Sequence, residues 1–337
     1  MKPDVVTPDR IIELGHAFFA SRALLSAVEL GVFATLADGP LDLDELRERV
    51  GISARGARDF LDALVALGML VRHTDGRYAN SAETGLYLDH NKPTYIGGLL
   101  ESFSAERYGL WASLTAALRS GMPQCNRSMV SNFAVLYADE RAREMFMSGM
   151  TARTMPVAKA LTTKICWQDY RTLIDIGAAQ GCLPVTIAQV HPHITGGGFD
   201  LPPLAPLFDD YVRKNALSNR LRFYPGDFFN GPLPTADVLV LGRVLHNWDL
   251  VTKMMLLKKV YDALPSAGAL IVYERLIDDD RRVHAAGLLS SLNMLLMSNG
   301  GFDFTGADCV GWMRETGFSD IRVEPLTADQ SMVVGIK

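Results

Sequence analysis

The stretch Leu173-Ile-Asp-Ile-Gly-Ala-Ala-Gln-Gly181 sets a carboxylate, Asp175, inside an apolar run, follows it with a turn of small residues, and precedes a second acid, Asp200, by 25 positions counted from Asp175. Strand, small-residue turn, helix start and downstream acid is an order that holds a nucleotide-type ligand. Gly177 and Gly181 permit the turn and a close approach that a side chain would block. Asp200 closes the apolar segment 194–199, where its carboxylate can accept hydrogen bonds from both hydroxyls of a ribose. Two details disfavour a phosphate. The turn reads Gly177-x-Ala179-x-Gly181 rather than the spacing that seats a pyrophosphate, and no Gly-Lys-Ser or Gly-Lys-Thr follows it. Asp175 adds negative charge that repels phosphate and favours an ammonium or sulfonium centre. S-adenosylmethionine, a nucleoside with cationic centres and no phosphate, fits these demands.

Further candidates follow the next two apolar runs. Gly226-Asp227-Phe228 offers a carboxylate for an adenine amino group and a ring to pack on the base, although these residues taken alone read more readily as a turn cap, Asp227, and a core ring, Phe228. Leu241-Gly-Arg-Val-Leu-His-Asn-Trp-Asp249 brings His246 to the same end of the sheet.

These residues need a frame, and the periodicity supplies one. From Tyr170 onward apolar runs alternate with helical patterns, the mark of an α/β doubly wound sheet. Strands are predicted at 172–176, 195–199, 221–224, 238–241, 269–273, 321–325 and 332–336, with the last two close enough in sequence for a hairpin. Residues 11–20, 23–37, 43–50 and 54–67 carry helical spacing, with Ser53 as an N-cap and Gly68 as a stop, and 69–79 reads as a hairpin turning at Asp75-Gly76. This is helix, turn, helix, wing. A DNA-reading use is opposed by charge, because residues 1–95 hold ten Lys and Arg against fourteen Asp and Glu. Helices are expected over 98–118 and 138–161. The resulting division is 1–95 winged-helix-like, 96–165 helical linker, and 166–337 Rossmann-like.

A chain of 337 residues with net charge −5 has no general attraction for nucleic acid or anionic membrane. Cys125, Cys166, Cys182 and Cys309 are scattered without zinc or disulfide spacing, which suits a reducing cytoplasm. The opening residues lack an apolar signal core, and no uninterrupted apolar run approaches the roughly 20 residues that cross a bilayer. Asp278-Asp-Asp280 and His191-x-His193 read as solvated turns rather than metal sites, so no metal is expected.

Taken together, the glycine turn, Gly-Phe-Asp200-Leu-Pro, Gly226-Asp227-Phe228-Phe229 and Leu-His246-Asn-Trp resemble the caffeate-type, cation-independent small-molecule O-methyltransferases, in particular bacterial members of secondary metabolism. The resemblance spans nearly the whole chain and implies an N-terminal winged-helix dimerisation region with a seven-stranded methyltransferase sheet. It implies His246 as general base, with Glu274 in Ile271-Val-Tyr-Glu274 and Asp303 in Gly300-Gly-Phe-Asp303 orienting the ring. Asp303 stands where plant members usually have Glu, so a shorter or water-bridged support is expected. The turn with Asp175, Gly177 and Gly181, then Asp200, Leu201, Asp227 and Phe228, would bind the cofactor. Gly242 replaces a lysine that touches adenine in many relatives, and Arg243 is the candidate substitute donor.

By the same matching Phe146, Met150, Asn293 and Met294 would wall the pocket for a small aromatic acceptor, and the region 16–22 would reach the partner's pocket in a homodimer. A phenol with a pKa of about 10 is mostly protonated at neutral pH, and an imidazole titrating near about 6.5 can take its proton. Two alternatives stand beside the hydroxyl-methylating reading: a ligand-sensing winged-helix regulator, and a relative that keeps the cofactor but runs an altered reaction.

Overall fold

Among the residues described (6–92, 94–125, 133, 137 and 140–337), the computed structural model holds nine strands, and each apolar run of the second half has become one. β1 (Leu70–Arg72) and β2 (Tyr78–Asn80) form a hairpin. β3 (Thr172–Ile176), β4 (Thr195–Asp200), β5 (Leu221–Pro225), β6 (Val238–Gly242), β7 (Ala269–Glu274), β8 (Ser319–Pro325) and β9 (Ser331–Ile336) form one sheet ordered β5-β4-β3-β6-β7-β9-β8. β9 pairs antiparallel with β8, as their closeness in sequence predicts, and inserts between β8 and β7, the placement expected of a methyltransferase sheet. The order reverses beside β3, since β4 and β5 extend one way and β6 and β7 the other. Ligands bind such sheets beyond the carboxyl ends of the strands at that reversal.

The chain forms two compact units, Met1–Gly109 and Leu110–Lys337. In the second unit, side chains alternate between the two faces of the sheet. Ile174 and Ile176 pack with Leu256, Val260 and Met313 of the helices Leu250–Ala263 and Gly306–Thr316. Leu173 faces the other way, onto Val157, Leu161 and Leu183 of Glu140–Lys164 and Cys182–Val190. Burial on both faces explains why these strands read as continuous apolar runs. The Ala138 start expected for the helix ending near residue 164 lies outside the described residues.

β4 is the exception, being Thr-Gly-Gly-Gly-Phe-Asp. Gly197 has φ +152°, and a Cβ there would collide with the Arg222 carbonyl of the paired β5. Rigid backbone cannot yield as a side chain would. Gly197→Ala is therefore expected to destabilise the second unit by about 3 kcal/mol or more, read as a lowered midpoint in denaturant melts.

In the first unit Val32, Phe33, Leu46, Leu61 and Leu64 form a core. Asp42 and Glu45 make a capping box at Leu43–Arg49, Ser53 caps Ala54–Ala66, and Gly68 ends that helix at φ +74°. Two expectations need correction. The segments 11–20 and 23–37 are not separate: one helix runs Asp9–Glu29 and stops at Gly31, because Ser21-Arg22 has no helix-breaking power. The continuous helix expected over 98–118 is broken into Gly97–Ser102, a π-helical turn Phe103–Arg107, Tyr108–Trp111 and Leu114–Ser120. Apolar spacing alone does not reveal such a bulge. Arg72 and Arg77 of the wing are ion-paired to Asp62 and Asp75.

Candidate active site

β6 ends at Gly242, and the chain then turns through Arg243, at φ +55°, into the one-turn helix Leu245–Asn247. Asn247 closes that turn by donating from Nδ2 to the Arg243 carbonyl at 3.2 Å, while Asp249 caps the following helix through Thr252 N–H. His246 is thereby presented, almost fully buried, between two acids from other elements. Its Nδ1 lies 3.2 Å from Asp303 Oδ1 and 3.7 Å from Glu274 Oε2. Its backbone N–H donates to Glu274 Oε1 at 3.2 Å. Glu274 is the last residue of β7, so the neighbouring strand sets its height.

Asp303 arrives on the loop after the helix Ala285–Met297, with its N–H donating to Ser291 Oγ at 3.2 Å. Gly300 and Gly301 let that loop lie against the histidine turn, since a Cβ on Gly301 would stand 2.7 Å from the Asn247 carbonyl oxygen. The aspartate therefore reaches the ring directly, without the bridging water that its shorter side chain suggests. Burial, opposed by His246 and reinforced by Asp303, raises the Glu274 carboxyl above its ordinary range. Glu274 Oε2 and Asp303 Oδ2 are buried with no hydrogen-bond partner, which leaves the pair in want of positive charge.

The second group of residues gathers at the carboxyl ends of β3 and β4. Gly177 and Gly181 have φ +81° and +90°, and between them Ala179 also sits left-handed at φ +52°, a strain of about 1 kcal/mol for a residue with a Cβ. Ala179 N–H donates to Asp200 Oδ2 at 2.9 Å, and Leu201 N–H to Oδ1 at 2.7 Å. Each Asp200 oxygen thus keeps a lone pair for a ligand hydroxyl. Burial pushes Asp200 up from 3.8 to about 6, against those two N–H donors. Burial, and then the Asp200 charge, push Asp175 up to about 7. Two buried acids with affinities raised this far fit a ligand that brings hydroxyls and a cation.

Because the folded chain holds the Asp175 proton more tightly than the unfolded chain does, stability falls as pH rises from about 4 to about 7. Asp175→Asn is expected to raise stability at pH 8 by roughly 2–4 kcal/mol and to change little at pH 4, as scanning calorimetry would show.

The other candidates are placed as follows. Both Asp227 oxygens serve their own loop, accepting from Phe229 N–H at 2.9 Å and Asn230 Nδ2 at 2.7 Å. Phe228 packs edge-on against Phe229 and Trp248. Phe146 and Leu201 share a cluster with Tyr137, Leu204 and Ala179, which sets them beside the glycine turn. Met150 is half-buried and Met294 buried. Asn293 Oδ1 accepts from Trp111 Nε1 at 3.3 Å. Asp278 accepts three backbone N–H groups, from 282, 283 and 284, and the rings of His191 and His193 each meet a backbone carbonyl.

Two residues that matter here carried no signal in the sequence. A Cβ on Gly242 would run into the Tyr273 ring, so a buried tyrosine of β7 fills the space that a longer residue 242 would take. Burial, then the Asp175 charge, push its phenol well above the ordinary range. Arg243 is turned so that its charge is felt by Glu274 and Tyr273, and its Nε is buried without a partner. The other is Lys253, discussed below.

A seven-stranded sheet of this order, carrying an acid-flanked turn and a histidine between two carboxylates, is the frame of a methyl-transferring enzyme. An O-methyltransferase domain model matches residues 111–319, and an O-methyltransferase dimerisation domain model matches residues 12–90. The chain is 42% identical over 330 residues to the tetracenomycin polyketide synthesis 8-O-methyl transferase TcmO of Streptomyces glaucescens, covering 98% of this chain and 97% of that protein. It is 40% identical over 271 residues to the N,N-dimethyltransferase OxyT of Streptomyces rimosus, covering 80% and 78%. Human N-acetylserotonin methyltransferase, solved in complex with S-adenosylmethionine, superposes with a TM-score of 0.90 at 28% identity, over 100% of this chain and 99% of that one. The chain belongs to the S-adenosylmethionine-dependent O-methyltransferase family.

Proposed function

We propose that the protein methylates a hydroxyl of an aromatic or polyketide-like small molecule, with His246 as general base. The observation that carries this is the buried imidazole whose Nδ1 edge faces two carboxylates. That arrangement assigns the ring proton to Nδ1 and leaves Nε2, on the opposite edge, as the acceptor. When bound, S-adenosylmethionine supplies an electrophilic methyl group on a sulfonium. His246 takes the hydroxyl proton as the oxygen attacks, and Asp303 and Glu274 stabilise the imidazolium that results. Phe146, Met150, Asn293 and Met294 are assigned to hold the ring in line.

A nitrogen acceptor, as the printed name of OxyT implies for that protein, is the second reading. An amine reaches the reaction with a free lone pair and has less need of a base clamped by two acids, so the hydroxyl reading is preferred. A regulator reading is opposed by the ion-paired wing arginines. The cofactor is assigned to Asp200, Leu201, Asp175, the 177–181 turn, Asp227 and Phe228, with Arg243 as an added donor. Asp227 would offer only the lone pairs its own loop leaves free.

A homodimer in the cytoplasm completes the proposal. One helix, Asp9–Glu29, is long and apolar enough by length and composition to cross a membrane, and it exposes Ile11, Leu14, Phe18 and Phe19. It lies within the matched dimerisation model apart from its first turn, and a second copy is the proposed cover for that face. Cys166, Cys182 and Cys309 are free thiols, in keeping with a reducing compartment. The test is a screen of hydroxylated aromatic acids and polyketides with the purified protein and S-adenosylmethionine, read by mass spectrometry. A gain of one CH2 on oxygen supports the reading, and modification confined to amines overturns it.

A further inference from the structure

Lys253 is fully buried on the first turn of the helix Leu250–Ala263, in the apolar run Leu250-Val-Thr-Lys-Met-Met-Leu-Leu257. A lysine is rarely hidden unless something in the interior holds its charge. Its Nζ donates to the Trp248 carbonyl at 2.6 Å and to the Phe302 carbonyl at 3.1 Å, and stands 3.2 Å from the centroid of the Phe302 ring. Trp248 is two residues beyond His246, and Phe302 directly precedes Asp303. One ammonium group thus clamps the loop carrying the proposed base to the loop carrying the acid beside it.

We propose that Lys253 is a positioning residue that sets the protonation state of the His246, Glu274 and Asp303 cluster while holding its two loops in register. This rests on the general-base reading of His246. With Lys253 charged and both acids ionised, the group carries net charge −1 while the imidazole is neutral and none once it has taken a proton. Without the lysine those values become −2 and −1. A cluster left with two uncompensated negative charges takes up a proton too early, and the base is then occupied before the acceptor arrives.

The groups facing this cluster, besides its own members Glu274 from β7 and Asp303 from the loop, are Asp249 at the helix cap, Arg243 after β6 and the Cys309 thiol of the helix Gly306–Thr316. Burial pushes the lysine down from 10.5 to about 8, and Glu274, Asp303 and Asp249 oppose that loss. The ammonium form therefore prevails at neutral pH. Both orphan carboxylate oxygens, on Glu274 and Asp303, show why a fixed cation nearby matters.

The test is Lys253→Met, which keeps the length and apolar stem of the side chain, in protein carrying 13C-labelled histidine and saturated with S-adenosylhomocysteine. The His246 signal, assigned by its loss in His246→Ala, is expected to titrate roughly one pH unit higher in the variant than in the parent. With an acceptor in hand, the acidic limb of kcat/KM should move by the same amount. A folded variant with an unmoved titration overturns the proposal and leaves Lys253 a structural clamp. Should the methionine variant not fold, Lys253→Gln, which keeps a donor for one of the two carbonyls, carries the same readout. Turnover by His246→Ala would instead defeat the base reading, so the two failures are distinct.

Discussion

His246→Ala is expected to lower kcat by about 10²–10⁴-fold while leaving the affinity for S-adenosylmethionine nearly unchanged. The lost step is removal of a hydroxyl proton. At neutral pH a phenol of pKa about 10 is ionised to roughly one part in a thousand, and only that fraction would react without the base. The size of the loss should track the acceptor: one whose hydroxyl already ionises at assay pH should recover most of the rate.

Cofactor affinity is spared because the acids that hold it in this proposal, Asp175 and Asp200, lie at the ends of β3 and β4, whereas His246 follows β6. The variant does leave Glu274 and Asp303 buried without their ring, so calorimetric binding and melting curves must accompany the kinetics. Unchanged turnover in a folded variant with intact cofactor binding would end the general-base assignment. Asp303→Asn, which keeps the volume but removes the closer charge, should fall between the two.

The sheet could be read from the sequence because burial on both faces turns β3, β6 and β7 into plain apolar runs, and six of the seven strands in that sheet were legible to within one residue at either end. β8 begins two residues early for a different reason: it is an edge strand whose Ser319 and Asp320 are exposed, so its start carries no apolar mark. His246, Glu274 and Asp303 are 28 and 29 residues apart in sequence, and only a resemblance, not periodicity, could bring them together.

The illegible parts have physical causes too. Lys253 reads as a solvated residue of an amphipathic helix, since nothing local reports that two carbonyls wait in the interior. Tyr273 reads as one more strand residue, because its effect on Gly242 depends on which strand lies alongside. The π-helical turn at 103–107 changes hydrogen bonding without changing the apolar spacing.

Asp200→Asn is the second large effect expected, this time on binding: the affinity for S-adenosylmethionine should fall by about 10²-fold or more, since hydrogen bonds to a charged acceptor are worth roughly 1.5–3 kcal/mol each and two ribose hydroxyls are assigned to this carboxylate. Asparagine still offers one oxygen to the Ala179 or Leu201 N–H, so the turn keeps part of its support. The pH dependence separates a charge effect from a packing effect. In the parent protein Asp200 titrates near about 6 and Asp175 near about 7, both raised first of all by burial. Below these values the acids hold protons that a cationic ligand must displace, so affinity should rise with pH between about 5 and 7.5, by up to tenfold per unit for each proton released. In the asparagine variant one of the two protons is gone. The remaining limb should also move to lower pH, because the Asp200 charge that helps raise Asp175 has been removed. S-adenosylhomocysteine, whose sulfur is neutral, should show a shallower slope than S-adenosylmethionine in both proteins. Titration calorimetry across that range decides the matter: a parent affinity independent of pH would mean that the two buried acids do not meet the cation, and the cofactor would have to be placed elsewhere.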